Sequence, residues 1–304
     1  MRKALISLIL IIIAGTSAFF GIKFWQSQTL NAQKQEIKKV SHINLVALGD
    51  SLTEGVGDTQ QLQGYSGRIA QKIRSSYGIS VTMENFGKAG DRSDQIQNRL
   101  NTQPEFQKAL KKANVIVMTV GGNDLQQLLL QNITSKNPQT LTKAVLKGQA
   151  NYQEKLSKLL RSVRKSNSQA PIFIFGNYNP LYVHFPNRED FNNDVKGFNA
   201  INALFSKKDK KVHYVSSFDL TYGQFKTSSQ RSQLIKQVES SANTSNAKDA
   251  TKEMTGVLTG KSSIDNNWIS NEDNYHPNNK GYQYMTSQLF KEMKKEQKQW
   301  LMKH

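Results

Sequence analysis

A serine and a histidine, far apart in the chain, are of residue types that can perform nucleophilic chemistry together. Ser51 lies in the sequence Gly-Asp-Ser-Leu at positions 49–52, where a serine taken alone is more often a turn or helix-capping residue. His276 follows Asp273 by three positions, so a tight turn would let the carboxylate orient the imidazole. Of the five histidines, only this one has an acidic residue suitably close. Because imidazole can accept a proton near neutral pH, the pair predicts a functional histidine.

Two further segments offer hydrogen-bond donors. Residues 85–93 (Asn-Phe-Gly-Lys-Ala-Gly-Asp-Arg-Ser) include Gly90, and glycine lets a backbone amide approach a ligand closely. Residues 121–124 (Gly-Gly-Asn-Asp) place the Asn123 carboxamide where it can act as a fixed donor. The simpler interpretations are a tight loop for the first segment and helix capping by Asn123 or Asp124 for the second.

The surrounding sequence predicts a parallel α/β fold that would bring these segments together. Short apolar runs rich in β-branched residues alternate with stretches of helical spacing, which is typical of parallel strands joined by crossover helices. The first three segments each follow a predicted strand, and open parallel sheets collect ligand sites at that edge. The segment at 273–276 precedes a predicted final helix. The predicted strands are residues 44–48, 80–85, 115–120, 172–175 and 212–215, and the final helix is residues 278–300.

Composition and charge exclude several classes of protein. Without cysteine, the chain has no disulfide, thiolate zinc site, cysteine nucleophile or lipid-modified cysteine. Lys and Arg number 41 against 23 Asp and Glu, a formal net charge of +18 that favours anionic surroundings such as phospholipid headgroups, cell-wall polymers or nucleic acid. The basic residues are spread over several helical stretches rather than grouped with aromatic residues, so we expect no nucleic-acid partner. The glycine-containing stretches at 55–57 and 256–262 lack the spacing of dinucleotide-binding and phosphate-binding loops.

The N-terminal region has the pattern of a membrane anchor. Residues 4–22 form an apolar run of nineteen residues between Lys3 and Lys23, close to the roughly 20 that a helix needs to cross the hydrocarbon of a bilayer. A cleaved signal peptide has a shorter run of roughly 7 to 15 residues, followed by a small-x-small site. Here the nearby candidate, residues 16–18, lies inside the run, so we favour an uncleaved single-pass anchor with the main domain outside the cytoplasm, or secreted if cleavage occurs. The predicted organisation is a membrane anchor or signal segment at 1–23, a polar tether at 24–41 and a folded domain at 42–304.

Two regions of the folded domain are candidates for contact with a substrate. Residues 227–267 are rich in Ser, Asn, Thr and Lys, which predicts a polar surface insertion rather than a second domain. We expect a surface loop there in preference to a lid. Tyr178, Tyr182 and Phe185 follow the fourth predicted strand, and we interpret them as packing residues in preference to the lining of a pocket.

The four segments, in this order, resemble the sequence blocks of the SGNH family of hydrolases, also called GDSL lipases and acylhydrolases. The resemblance extends over about residues 43–295 and leaves out the apolar N-terminus. It implies a three-layer α/β/α fold with a flavodoxin-like sheet of five parallel strands. It also implies a serine esterase or acylhydrolase that cleaves carboxylic esters through an acyl-serine intermediate.

The resemblance further implies roles for individual residues. Ser51 would be the nucleophile, His276 the general base and Asp273 the partner that orients it. The oxyanion donors would be the backbone amides of Ser51 and Gly90 and the side chain of Asn123. No metal or organic cofactor is implied.

Two classes of function stay open. The first is the ester hydrolase, whose substrate would be a lipid or an acetyl or acyl group on a cell-envelope glycan, with acyl transfer to a sugar hydroxyl as a variant. The second is a non-catalytic cell-envelope protein that binds anionic wall polymer or lipid through its basic surface. The net charge of +18 favours the second, whereas the presence of serine, asparagine, aspartate and histidine together favours the first.

Overall fold

The computed structural model describes residues 21–23, 39–132, 138–241 and 264–302. The chain divides into two compact units. One comprises Met1–Val40 with Met302–His304, and its described part consists of a helical stretch at 21–23 and an isolated antiparallel bridge between Lys39 and Met302. The other unit, Ser41–Leu301, contains the sheet and the candidate site.

Five strands form one parallel sheet in the order β2-β1-β3-β4-β5, which is the order typical of flavodoxin-like folds. The two central strands β3 and β4 are buried along their whole length, as expected for strands covered on both faces. The predicted five-stranded parallel α/β fold is therefore confirmed. The strands are β1 His42–Gly49, β2 Ser80–Gly87, β3 Val115–Met118, β4 Ile172–Phe175 and β5 Val212–Val215.

Helices cover both faces of the sheet. On one face α2 and α9 pack against each other, and on the other α3, α4, α5 and α7 pack around the long helix α6. A short 3₁₀ helix at Phe218–Thr221 follows β5. The α-helices in the described part are α1 Ser51–Glu54, α2 Gly64–Tyr77, α3 Ser93–Thr102, α4 Pro104–Lys112, α5 Gly122–Asn132, α6 Pro138–Ser166, α7 Glu189–Lys208, α8 Ser228–Ser241, α9 Asn279–Lys295 and α10 Gln297–Trp300.

The core follows from the alternation of side chains along each strand. Val46 and Leu48 of β1 belong to a buried cluster that includes side chains of α3, α4, α6 and α7. The intervening residues Leu45 and Ala47 are equally buried and point to the opposite face. On that opposite face, Tyr65 of α2 packs edge-on against Phe175 of β4, with ring centroids 4.7 Å apart. Successive residues of these strands are all apolar because helices cover both faces of the sheet.

The strand register sets the position of the candidate residues. Gly49 pairs with Gly87, and Leu48 pairs with Met118, so β1, β2 and β3 end at the same edge of the sheet. The three segments that follow these strands are therefore adjacent in space, as the parallel arrangement predicts.

Some element boundaries differ from those predicted. β1 begins at His42, where it pairs with Ser80 of β2 and the two side chains form a hydrogen bond of 2.7 Å. β3 ends at Met118 rather than at residue 120, because the next side chain, Thr119, turns into a buried polar network below Ser51. The predicted final helix is broken at Glu296 into α9 and α10.

The polar insertion at 227–267 begins with a helix, so the expectation of a loop is wrong for this part. Helix α8 spans Ser228–Ser241, and its Leu234 is buried in a small cluster with Tyr182 and Val183. Val238 of the same helix packs against this cluster, and the high content of polar residues concealed both apolar contacts. Tyr182 is accordingly a packing residue, as interpreted from the sequence. Residues 242–263 lie outside the described residues.

The predicted membrane anchor lies almost entirely outside the described residues, which include only positions 21–23 of that region. Among the helices that the structure does describe, none has both the length and the apolar composition needed to cross a bilayer.

Candidate active site

Ser51 begins helix α1 in the turn that follows β1. The N-cap of this helix is Asp50, whose carboxylate accepts hydrogen bonds from the Leu52 amide at 3.1 Å and from the Thr119 hydroxyl at 2.7 Å. The capping role that a serine would often perform in such a turn is thus taken by its neighbour. The Ser51 hydroxyl instead forms a hydrogen bond of 2.8 Å with Nε2 of His276.

A buried network of hydrogen bonds connects this turn to side chains of α2 and of the segment after β3. The Thr53 hydroxyl lies 2.8 Å from the Thr119 hydroxyl and 2.7 Å from the Tyr65 hydroxyl, and Thr119 continues the network to Asp50. Burial raises the pKa of Asp50, and the hydrogen bonds from Thr119 and the Leu52 amide act in the opposite direction. Because a fully satisfied buried network has one favourable arrangement, it fixes the conformation of the turn. The sequence analysis did not identify Thr119 or Tyr65.

His276 is held by a tight turn built on Asp273. Nδ1 of His276 lies 2.5 Å from Asp273 Oδ2, and Asp273 Oδ1 accepts the backbone N–H groups of Tyr275 and His276, each at 2.9 Å. Asn274 has a positive φ of 51°, which closes the turn between the aspartate and the histidine. One carboxylate therefore shapes the loop and orients the ring.

The protonation state of Asp273 determines the tautomer of His276. Burial alone would raise the pKa of Asp273, but the hydrogen bonds from the His276 ring and the two backbone amides outweigh it and lower the pKa. The ionised carboxylate accepts a hydrogen bond from Nδ1–H, so Nε2 is left to accept a hydrogen bond from the Ser51 hydroxyl.

The loop that carries His276 is also fixed from outside. The buried hydroxyl of Tyr178 donates to the Tyr275 carbonyl at 2.7 Å, and the Ser270 amide donates to the His276 carbonyl at 2.7 Å. The Tyr275 ring packs edge-on against the imidazole, with centroids 5.0 Å apart. Tyr178 thus supports the loop as a packing residue, in agreement with the interpretation of its sequence position.

The two predicted donors face the same place as Ser51. Gly90 has a φ of 81°, a left-handed conformation that glycine adopts without strain, in the turn after β2. Asn123 is the second residue of α5, and its Nδ2 donates to the Asp91 carbonyl at 2.9 Å. A carboxamide has two N–H bonds, so this contact orients the group and leaves the second N–H for a ligand. The adjacent Asp124 does not line the cleft, and its carboxylate accepts hydrogen bonds from the amide and hydroxyl of Ser93.

A cleft of about 280 Å³ brings these groups together. All five residues predicted from the sequence line it. Gln126, which the sequence analysis missed, lies one helical turn after Asn123, so the helical spacing was a signal that could have identified it. Among the described residues, no group of three or more His, Cys, Asp or Glu side chains is arranged to hold a metal ion. The lining residues are Ser51, Ala89, Gly90, Asn123, Gln126, Asp273, Tyr275 and His276.

This arrangement can activate a hydroxyl and stabilise negative charge beside it. A serine hydrogen-bonded to an imidazole, with a carboxylate on the far side of the ring, has the geometry of an activated oxygen nucleophile. Amide donors around the same cleft suit the oxyanion of a tetrahedral acyl intermediate. At the carboxyl edge of a parallel sheet, such a group of side chains is typical of ester hydrolases.

Comparison with protein families leads to the same class. A model of the GDSL-like lipase/acylhydrolase family matches residues 47–284, and the chain belongs to this family. It is therefore an ester-hydrolysing enzyme.

Two curated bacterial proteins are similar in sequence. The chain is 30% identical over 292 residues to the uncharacterized protein YpmR of Bacillus subtilis strain 168, an alignment that covers 95% of this chain and 94% of that protein. It is 31% identical over 157 residues to the spore germination lipase LipC of Bacillus licheniformis, covering 52% of this chain and 72% of LipC.

Solved structures with low sequence identity have the same fold. The lipase Lip_vut3 from a goat rumen metagenome is 22% identical, with a TM-score of 0.59 over 83% of this chain and 97% of that chain. An extracellular lipase of Streptomyces rimosus is 15% identical, with a TM-score of 0.52 over 83% of this chain and 100% of that chain. A variant of the acetyl-xylooligosaccharide esterase Axe2 of Geobacillus stearothermophilus is 13% identical, with a TM-score of 0.51 over 85% of this chain and 96% of that chain.

Proposed function

We propose that the chain hydrolyses carboxylic esters through a covalent acyl intermediate on Ser51. The observation that carries this proposal is the continuous set of contacts from the Ser51 hydroxyl to Nε2 of His276, at 2.8 Å, and from Nδ1 to Asp273, at 2.5 Å. The cleft lined by these residues also contains Gly90 and Asn123. A non-catalytic binding protein has no need for this combination.

In the first half of the reaction, Nε2 of His276 takes the hydroxyl proton as Ser51 Oγ attacks the ester carbonyl carbon. Asp273 stabilises the imidazolium that forms. The carbonyl oxygen becomes an oxyanion that accepts hydrogen bonds from the amides of Ser51 and Gly90 and from Asn123. Each such donor contributes on the order of 3 kcal/mol to the transition state.

Collapse of this intermediate releases the alcohol and leaves the acyl group on Ser51. The bond between the carbonyl carbon and the alcohol oxygen breaks, and the alcohol receives the proton from His276. In the second half, His276 removes a proton from water, the water oxygen attacks the acyl carbon, and the carboxylic acid leaves as Ser51 Oγ recovers the proton.

The substrate is proposed to carry a short acyl group. The cleft of about 280 Å³ is small, and around the reactive group its described lining offers Ala89, the Gln126 carboxamide and the Tyr275 ring rather than an apolar channel. An acetyl or similarly short ester fits such a space better than a long hydrocarbon chain. The proposed ester is a short acyl group on a cell-envelope glycan, or a short-chain ester of a lipid.

The site of action is proposed to be the outer face of the cell membrane. The support is the run of nineteen apolar residues at 4–22, followed by a polar stretch long enough to separate the domain from the bilayer. The net charge of +18 suits anionic headgroups and wall polymers in that location. Separation of membranes from soluble material, with the full chain compared against a chain beginning at Ser41, tests the anchor. Equal solubility of the two forms contradicts it.

The activity is tested with the full chain in detergent. We expect turnover of p-nitrophenyl esters that declines from acetate to longer acyl chains, and covalent labelling by an active-serine phosphonate. Ser51→Ala should abolish both, whereas Ser75→Ala, which changes an exposed serine of α2, should retain both. Acetylated glycans tested in parallel separate a glycan deacetylase from a lipid esterase.

Two results would contradict the proposal. Normal turnover and labelling in Ser51→Ala would remove the serine from its role. A chain that ignores the phosphonate and every ester, yet binds anionic wall polymer with strong dependence on salt, would instead support the non-catalytic class.

A further inference from the structure

Arg99 of α3 links two segments of the candidate site, residues 49–52 and 85–93, without lining the cleft. Its Nε donates to Asp91 Oδ2 at 2.6 Å, Nη1 donates to the Phe86 carbonyl at 3.0 Å, and Nη2 donates to the Gly49 carbonyl at 3.1 Å. The side chains of Arg99 and Asp91 are 13% and 7% exposed, so these contacts are largely shielded from water.

Two of these partners, Gly49 and Asp91, lie close to groups that the reaction uses. Gly49 ends β1, two residues before Ser51. Asp91 directly follows Gly90, and its backbone carbonyl accepts the hydrogen bond from Nδ2 of Asn123. A single guanidinium therefore connects the end of the nucleophile strand to the loop that carries one oxyanion donor and orients the other.

The oxyanion donors Gly90 and Asn123 must be held at a fixed distance from Ser51. An oxyanion donor contributes only when it lies within about 2.7 to 3.1 Å of the oxyanion, so its position relative to Ser51 must be held closely. Gly90 lies in a turn after an edge strand, and Asn123 depends on the Asp91 carbonyl for its orientation. The planar fork of arginine spreads its donors over three nitrogens and so reaches a carboxylate and two carbonyls that lie apart, whereas all the donors of a lysine lie on one nitrogen.

We propose that Arg99 is a positioning residue that fixes the donors Gly90 and Asn123 relative to Ser51. This inference rests on the proposed acyl-serine function and adds a residue to it. Arg99 touches no reacting atom, and it acts through Asp91 and the Gly49 carbonyl.

A matched control is present at the opposite edge of the sheet. Nε of Arg164 donates to Asp209 Oδ2 at 2.8 Å, and its two terminal nitrogens donate to the carbonyls of Ala170 and Lys211 at 2.6 and 3.0 Å. Ala170 and Lys211 precede β4 and β5, away from the carboxyl edge. Arg164 thus makes the same set of bonds with no connection to the cleft.

The test compares Arg99→Gln, Arg99→Lys and Arg164→Gln in the full chain, with kcat and KM for p-nitrophenyl acetate and the thermal midpoint of each. We expect Arg99→Gln to lower kcat by about 10- to 100-fold with KM within about threefold of wild type, since displacement of catalytic groups by 1 Å can cost 100-fold. Arg99→Lys keeps the positive charge but not the planar fork, and its kcat should be about tenfold lower than that of the wild type. Arg164→Gln should lower the thermal midpoint to a similar extent and leave kcat within about twofold.

A double-mutant cycle supplies a readout that general destabilisation would not move. If Arg99 acts partly through Asn123, the loss caused by Arg99→Gln should be smaller in an Asn123→Ala background than in wild type. Equal losses in both backgrounds, or a kcat loss in Arg164→Gln as large as in Arg99→Gln, would overturn the inference. Should Arg99→Gln not fold, Arg99→Lys is measured in the same cycle with the same criteria.

The outcomes for the inference and for the proposed function are distinguishable. An active wild type whose Arg99 variants retain kcat overturns the positioning role alone. A wild type that turns over no ester overturns the proposed function and this role with it.

Discussion

A methyl group added at Gly57 tests whether the position of His276 limits the reaction. Gly57 lies in the loop after α1 with a φ of 86°. A Cβ atom at this position would lie 2.6 Å from the Pro277 carbonyl oxygen and 3.3 Å from Cβ of His276. The substitution Gly57→Ala thus introduces a collision with the backbone that carries the base, without altering any polar group of the site.

The size of the effect follows from these distances. Ordinary contact begins at 3.4 Å, so a separation of 2.6 Å requires a shift of about 0.8 Å. The loop that contains Gly57 is held by the hydrogen bond from the Tyr282 hydroxyl to the Val56 carbonyl, at 2.6 Å, and by the ion pair between Asp58 and Arg68, also at 2.6 Å. Because both ends of this loop are fixed, the loop cannot absorb the whole shift, and part of it falls on the segment with His276.

A shift of that size is sufficient to impair proton transfer. It can lengthen the 2.8 Å bond between Ser51 and His276 beyond about 3.2 Å, the upper end of the normal range. Misplacement of a catalytic group by 1 Å can lower the rate 100-fold, so we expect kcat of Gly57→Ala to fall by about 10- to 100-fold. KM should change little, because the substituted residue does not line the cleft.

Gly78→Ala is the matched control. Gly78 ends α2 with a φ of 65°, and no atom lies within 4 Å of a Cβ built there. Both variants place alanine in the left-handed region, at a cost of roughly 1 to 2 kcal/mol, so both should lower the thermal midpoint. Only Gly57→Ala should lower kcat in a p-nitrophenyl ester assay. Equal kcat values for the two variants would refute the reasoning that ties the loop to His276.

Three further variants test other parts of the structure. Asp273→Asn should lower kcat by about 10⁴-fold with little change in KM at pH 7, because an amide N–H in place of the acceptor favours the wrong tautomer of His276; a loss below tenfold would contradict this role. Burial raises the pKa of Asp194 from 3.8 to about 6. Because the native state then binds this proton more tightly than the unfolded chain does, its stability falls as pH rises from about 4 to about 6. Asp194→Asn should therefore gain thermal stability relative to wild type between pH 4 and pH 7, and a pH-independent difference in melting temperature would count against it. Tyr178→Phe leaves the Tyr275 carbonyl without its donor and should reduce the free energy of unfolding in urea by about 1 kcal/mol, whereas an unchanged value would show that the bond adds no stability.

The fold was predictable because its signals are local. Strands β3, β4 and β5 are short apolar runs whose order in a parallel sheet follows from the crossover helices between them. The carboxyl ends of parallel strands share an edge, so the segments with Ser51, Gly90 and Asn123 could be grouped before any coordinates were considered. His276 could be added because Asp273 stands three positions earlier, a spacing that a single tight turn explains.

The supporting contacts were not predictable because they join residues that are far apart in the sequence. Arg99 and Tyr178 donate to backbone carbonyls and Thr119 donates to a carboxylate, each far away in the sequence, and such contacts leave no periodic pattern. The polar composition of helix α8 predicts a loop, although Leu234 and Val238 pack against the domain. Local patterns therefore identify reactive residues more readily than the residues that position them.

The two halves of the candidate site are held by different kinds of structure. Ser51 follows a strand paired on both sides, and Asp50 fixes its turn through a buried hydrogen bond to Thr119. His276 lies in a loop whose geometry comes from Asp273 and the close approach of Gly57. Changes to the first set disturb the core and should act mainly on stability, whereas changes to the second alter a loop and should act mainly on kcat. The ratio of the two effects in a set of variants therefore distinguishes a base that is positioned by its loop from one that the core alone holds in place.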